Sequence, residues 1–122
     1  MRPLRLLSMP MSRFNPRYSI MATKKYPTDE WKIIRFQRSE NKKKKYDVIL
    51  SNIETGERIK MSFGAIRNNG IPYDQFKDNT PLGLYTKYDH GDEKRLKNYY
   101  ARHGRIDSRY WSPDLLSKLF LW

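Results

Sequence analysis

Five side chains in the stretch YDHGDEKRLKNYYARHG, Tyr88 to Gly104, could bind a divalent cation or carry a proton: Asp89, His90, Asp92, Glu93 and His103. Carboxylates and imidazoles in such combinations serve metal-dependent nucleases. Their spacing fits a plainer task. Asp92 and Glu93 stand where acids complement the positive end of a helix, and Asp89 or Asp92 is of a type that caps one. His103 and Gly104 stand where a helix stops, which leaves His90 as a loop residue. The chain has no cysteine, so thiolate nucleophiles, disulfides and thiolate metal sites are excluded. It also lacks the GxxxxGK[ST], GxGxxG and GxSxG patterns that build phosphate cradles and nucleophile elbows. The expectation is a protein that is not an enzyme and has no catalytic, cofactor-binding or metal-binding residues.

Cations carry a different chemistry. The formal net charge is +12 over 122 residues. Residues 1–28 hold six bases (Arg2, Arg5, Arg13, Arg17, Lys24 and Lys25) and no acid, so they carry half of that excess. The run Lys42, Lys43, Lys44, Lys45 adds a second concentration, and Lys94, Arg95, Lys97, Arg102 and Arg105 add a third. Such a field favours a polyanion, meaning nucleic acid, an anionic membrane surface or an acidic protein face. Tyr99, Tyr100 and Tyr110 beside the third group would allow base stacking next to phosphate contact. On the helix alone, basic residues opposite a Leu/Tyr stripe are more simply its solvated face. Nothing resembles a sequence-reading module, so any DNA or RNA contact would be nonspecific.

Positioning these residues requires a small α+β fold. WKIIRFQR (31–38), KKYDVILS (44–51) and RIKMSF (58–63) read as strands; the second gathers Tyr46, Val48 and Leu50 on one face, and the third does the same with Ile59, Met61 and Phe63. The short connections between them predict an antiparallel three-stranded meander. From Gly64 to Lys87 loop punctuation dominates, with Asn69-Gly70, Pro72 and Pro81-Leu82-Gly83. A short helix near Tyr73–Lys77 is possible there. Ile66, Ile71, Tyr73, Phe76, Leu82, Leu84 and Tyr85 would pin the segment to the sheet. Two helices follow. The first carries the stripe Leu96, Tyr99, Tyr100, His103, and the second has Ser112 as cap, Pro113 at its first position and Leu115, Leu116, Leu119 and Phe120 on its apolar face. That apolar terminus must be covered, and Trp111, Leu116, Leu119, Phe120 and Trp122 are candidates for docking on a partner. Four prolines break residues 1–28 into an extended basic N-terminal arm, so the domains are 1–28 (arm) and 29–122 (body). For the arm three readings stand: a solvated tail, a strap that orders along a neighbouring subunit or nucleic acid, and an organelle presequence. Met21-Ala-Thr-Lys-Lys reads like a second possible start. No apolar run approaches the roughly 20 residues that span a bilayer.

The words SFGA, YTKYDHGDEKRLKNYYARHG and WSPDLLSKLFLW together resemble a family of small basic proteins of large nucleocytoplasmic DNA viruses of algae and amoebae. The resemblance spans about residues 45–122. It implies a structural protein of the virus particle, a minor capsid or cementing component, whose partners are other virion or capsid proteins. Its location would then be the virion, and the host cytoplasm or viral factory during assembly. It carries over no catalytic residues. The alternative expectation is a nonspecific, genome-associated nucleic-acid-binding protein.

Overall fold

A computed structural model describes residues 24–122. The meander is present: β1 (Trp31–Arg38), β2 (Lys44–Asn52) and β3 (Arg58–Ala65) form an antiparallel sheet in the order β1-β2-β3. A 3₁₀ turn at Thr86–Tyr88 precedes α1 (Glu93–His103) and α2 (Pro113–Phe120). Arg2, Arg5, Arg13 and Arg17, with most of the expected arm, lie outside the described residues.

Alternation places Tyr46, Val48 and Leu50 of β2 on the core face, and all three are fully buried with Phe63 of β3. In β1 the register shifts between Ile33 and Arg35, so Ile34 is one extra residue. This bulge brings Trp31, Ile33 and Phe36, which a strict period of two would split between faces, onto the core side opposite Leu50 and Val48. Ile34 is left exposed. The amphipathic α2 lies on β3 and buries Leu115 and Leu116, with Phe120 edge-on to Phe36 at 4.9 Å between ring centroids. Ser112 caps it as expected, its Oγ accepting from Leu115 N at 3.0 Å.

Between β3 and α1 the chain has little regular structure, yet buried polar side chains fix it. Gln75 is fully buried; its amide donates to Tyr85 O and Asp89 Oδ1, both at 2.8 Å, and its Oε1 accepts from Lys45 Nζ at 2.5 Å. Asp78 accepts four hydrogen bonds, from Tyr46 Oη (2.5 Å), Thr80 Oγ1 (2.6 Å), Thr80 N (2.9 Å) and Tyr85 N (3.1 Å). The last carbonyls of α2 have no partner within the helix. Phe120 O accepts from Asn79 N, and Leu121 O from Phe76 N and Lys77 N. The helix considered possible at Tyr73–Lys77 does not form, because the backbone groups it would need are committed elsewhere. Ile71, Tyr73, Leu82 and Leu84, expected as pins, are exposed; among those apolar residues only Tyr85 is fully in the core.

Tyr26, Pro27 and Thr28, grouped by charge with the arm, run antiparallel to Arg109–Trp111. Thr28 N donates to Arg109 O at 3.0 Å and Trp111 N to Tyr26 O at 2.8 Å. This seam closes one end of the body over Trp31, whose carbonyl accepts from Trp111 Nε1 at 2.9 Å.

Candidate functional site

The helix α1 starts and stops on the expected signals. Asp92 is its cap, accepting from Lys94 N at 2.9 Å and Arg95 N at 3.2 Å, and Gly104 ends it at φ +80°. α1 is held at its C-terminal end by Lys118 of α2. The buried Nζ of Lys118 donates to His103 O (2.8 Å) and Arg105 O (2.9 Å) and pairs with Asp114 at 2.8 Å. A cation at this end also complements the helix dipole. Of the expected stripe, Tyr99 is buried, Leu96 and Tyr100 are half-buried and His103 is exposed.

Standing α1 away from the sheet opens a cleft of about 430 Å³ between it, the end of β3 and the loop at Tyr73. Arg95, Tyr99, Arg102 and His103, at i, i+4, i+7 and i+8, form the face of α1 that lines it. Lys45, Arg67, Tyr73, Asp74 and Trp122 line the rest, with Gly64, Ala65, Ser117 and Leu121. Four cationic side chains thus converge on a space holding one carboxylate side chain, Asp74, which is 3.8 Å from Arg95. Arg67 lies over the Tyr73 ring at 4.5 Å and donates to Pro72 O.

The aromatic lining is ordered as a column. Trp122 stacks on Tyr99 at 4.2 Å with 6° between ring planes, and Tyr99 stacks on His103 at 4.3 Å. Burial, with the nearby Asp114 carboxylate adding to it, pushes the Tyr99 hydroxyl up to about 12. His90 packs against Trp122, tilted, at 5.3 Å between ring centroids. The two histidines therefore stand at opposite ends of the column, with Trp122 and Tyr99 between them. Burial, reinforced by the charge of Arg95, lowers the His90 imidazole below its usual 6.5. Its Nδ1 accepts from Asp92 N at 2.9 Å, and its buried Nε2 has no partner. Among the described residues no group of three histidine, aspartate or glutamate side chains is arranged to hold a metal ion.

Lys45, a candidate for surface contact, is instead 2 % exposed. Its ammonium is tied to Tyr73 O at 2.6 Å and to Gln75, and burial, only partly offset by the carboxylates of Asp78, Asp74 and Asp89, lowers it to about 8. It anchors the loop under the cleft and cannot reach out to a polyanion. Gly64 makes room for it. With φ +81°, a Cβ there would come within 2.9 Å of Lys45 Cβ and 3.2 Å of Leu121 Cδ1. Lys24, Lys25, Lys42 and Lys43 are exposed and Lys44 is half-buried. Lys44 pairs with Ala65 in the sheet, next to the cleft wall. Lys94 and Lys97 are exposed on the far side of α1 from the cleft, and Arg105 is exposed just beyond the helix.

The candidate docking residues are largely used within the chain. Leu116 is fully buried in the core, which removes it from any docking surface. Trp111 and Phe120 are half-buried against the core, and Trp122 is half-buried in the column. Leu119 alone is open, at 41 %.

Comparison with protein-family models, with curated proteins and with solved structures finds no significant match to this chain. No helix among the described residues is long and apolar enough to cross a membrane.

Proposed function

We propose that the protein is a non-enzymatic nucleic-acid-binding protein that grips the phosphate backbone without reading sequence. The observation that supports this most is the cleft beside α1, where Arg67, Arg95 and Arg102 meet Tyr73, Tyr99 and Trp122. Guanidinium groups match phosphate geometry and pair with aromatic faces, a combination found where single strands or backbones are tracked. The exposed lysines Lys24, Lys25, Lys42 and Lys43 extend the positive surface beyond the cleft. Binding of a labelled random-sequence DNA, followed by fluorescence anisotropy, should weaken steeply as salt rises. Arg102→Glu should weaken it more than Lys97→Glu, because Lys97 lies on the opposite side of α1. Absence of binding at about 50 mM salt would remove the proposal.

A second reading is a structural component of a large DNA virus particle, working through protein contacts in the virion. Its support is the resemblance carried by SFGA, YTKYDHGDEKRLKNYYARHG and WSPDLLSKLFLW, together with the exposed Ile71, Leu82, Leu84 and Leu119. Deletion of residues 1–25 spares the Tyr26–Thr28 seam, so the body should still fold. On this reading the truncated chain assembles poorly into particles, and unchanged incorporation removes it.

A further inference from the structure

The column of rings has a closed end and an open one. Trp122 is covered by His90, while His103 ends the column on the cleft side as an exposed ring. Arg102 is its neighbour in sequence and Arg95 lies two turns back on the same face of α1. Tyr73, another wall of the cleft, is 48 % exposed. Every base of a single strand has a free π-face, whereas in a duplex those faces are stacked inside. The cleft volume of about 430 Å³ is toward the small end of the ~300–1,000 Å³ range of small-ligand sites. That suits one nucleotide and excludes a double helix.

Resting on the nucleic-acid reading above, we infer that the cleft takes one unpaired nucleotide of a single strand. Its base continues the Trp122–Tyr99–His103 column, and its phosphates meet Arg95 and Arg102. Phosphate contact is then shared by single and double strands, and the base contact belongs to single strands alone. Asp74, the one carboxylate side chain of the lining, pairs with Arg95 only at 3.8 Å, which leaves the Arg95 guanidinium donors for a phosphate beside Arg102.

The test uses the full chain and four probes of equal length at low salt: oligo-dT, an abasic strand with the same phosphates, a duplex, and polyglutamate. Oligo-dT should bind about tenfold or more tightly than the abasic strand, the size of one base-aromatic stack. His103→Ala, which leaves the His103 carbonyl for Lys118, should erase most of that difference. Tyr73→Ala, whose carbonyl still receives Lys45, should lower oligo-dT affinity with the fold intact by circular dichroism. Equal affinity for oligo-dT and the abasic strand would overturn the inference while leaving backbone binding standing. Equal affinity for polyglutamate would overturn it in favour of an acidic protein partner. Failure of all four probes to bind would overturn the nucleic-acid reading itself.

Discussion

Asp78→Asn is the most direct probe of how an irregular segment is held in one conformation. The Asp78 carboxylate is buried and accepts four hydrogen bonds, two on each oxygen: Thr80 N and Thr80 Oγ1 on Oδ1, Tyr46 Oη and Tyr85 N on Oδ2. An amide keeps one acceptor oxygen and replaces the other with an NH₂ donor. Whichever way it is seated, a hydroxyl can rotate to accept from it, but one backbone N–H, of Thr80 or of Tyr85, faces a donor. An orphaned buried donor costs about 1–3 kcal/mol, and the surviving bonds lose their charge-assisted strength, about 1 kcal/mol each. The expected loss is about 3–5 kcal/mol, a large part of the ~5–15 kcal/mol that holds a typical domain together. Urea unfolding followed by tryptophan fluorescence measures it.

The same substitution has a pH signature. Burial alone would raise the Asp78 carboxyl, but the hydrogen bonds from Thr80, Tyr46 and Tyr85 outweigh burial and hold it below the ordinary 3.8. A group whose folded pKa is depressed stabilises the fold fully above its unfolded pKa and loses that contribution as pH falls through the folded one. The gap between wild type and Asp78→Asn should therefore be widest near neutrality and narrow below 3.8. Asp47, held low against its own burial by Ser62, Ser39 and the Glu40 N–H, is untouched and leaves the variant with some acid sensitivity. A loss under about 1 kcal/mol at neutral pH, or a gap that stays constant into acid, would refute the role assigned to this carboxylate.

Gly64→Ala puts a Cβ 2.9 Å from Lys45 Cβ at φ +81°, and Lys45 is pinned at its ammonium and cannot swing aside. Backbone strain of about 1–2 kcal/mol and overpacking of about 1–3 kcal/mol predict a combined loss of about 2–5 kcal/mol in chemical denaturation. Lys118→Met strips His103 O, Arg105 O and Asp114 of their shared partner. It should cost about 2–4 kcal/mol and speed amide exchange in the last turn of α1; unchanged exchange there would mean that something else holds the helix end. His90 is lowered below 6.5 by burial and by Arg95, so the fold is most stable above that value and weakens as pH drops through the folded pKa. His90→Asn, which retains an acceptor for Asp92 N, should flatten stability against pH between neutral and mildly acidic conditions.

How much of this was readable in the sequence depends on how far apart the cooperating residues lie. Strand alternation, the Asp92 and Ser112 caps, Pro113 and Gly104 are signals spread over a few residues, and the elements appear where those signals put them. The bulge at Ile34 was hidden, because WKIIRFQR satisfies β-propensity in either register. Gln75 and Asp78 look like ordinary loop polar residues. Their meaning comes from Lys45 and Tyr46, some 30 residues upstream, which local periodicity cannot pair with them. The exposed apolar residues of the same segment misled in the opposite direction, because the anchoring is polar.

The same separation governs the cleft. Helical spacing groups Arg95, Tyr99, Arg102 and His103 on one face of α1, and that much is legible. The neighbouring face, with Leu96 and Tyr100, is also apolar, and periodicity does not say which of the two meets the body. Lys118 decides it. By gripping the end of α1 it turns Tyr100 toward α2, where its hydroxyl donates to Lys118 O at 3.3 Å. The arginine face then looks across a gap to Arg67 and Tyr73. The basic residues of α1 consequently fall into two sets. Arg95 and Arg102 share a walled space with three aromatic rings, whereas Lys94 and Lys97 face outward. A charge count treats the four alike. Geometry distinguishes them, and any ligand that needs both a phosphate contact and a ring will depend on the first pair.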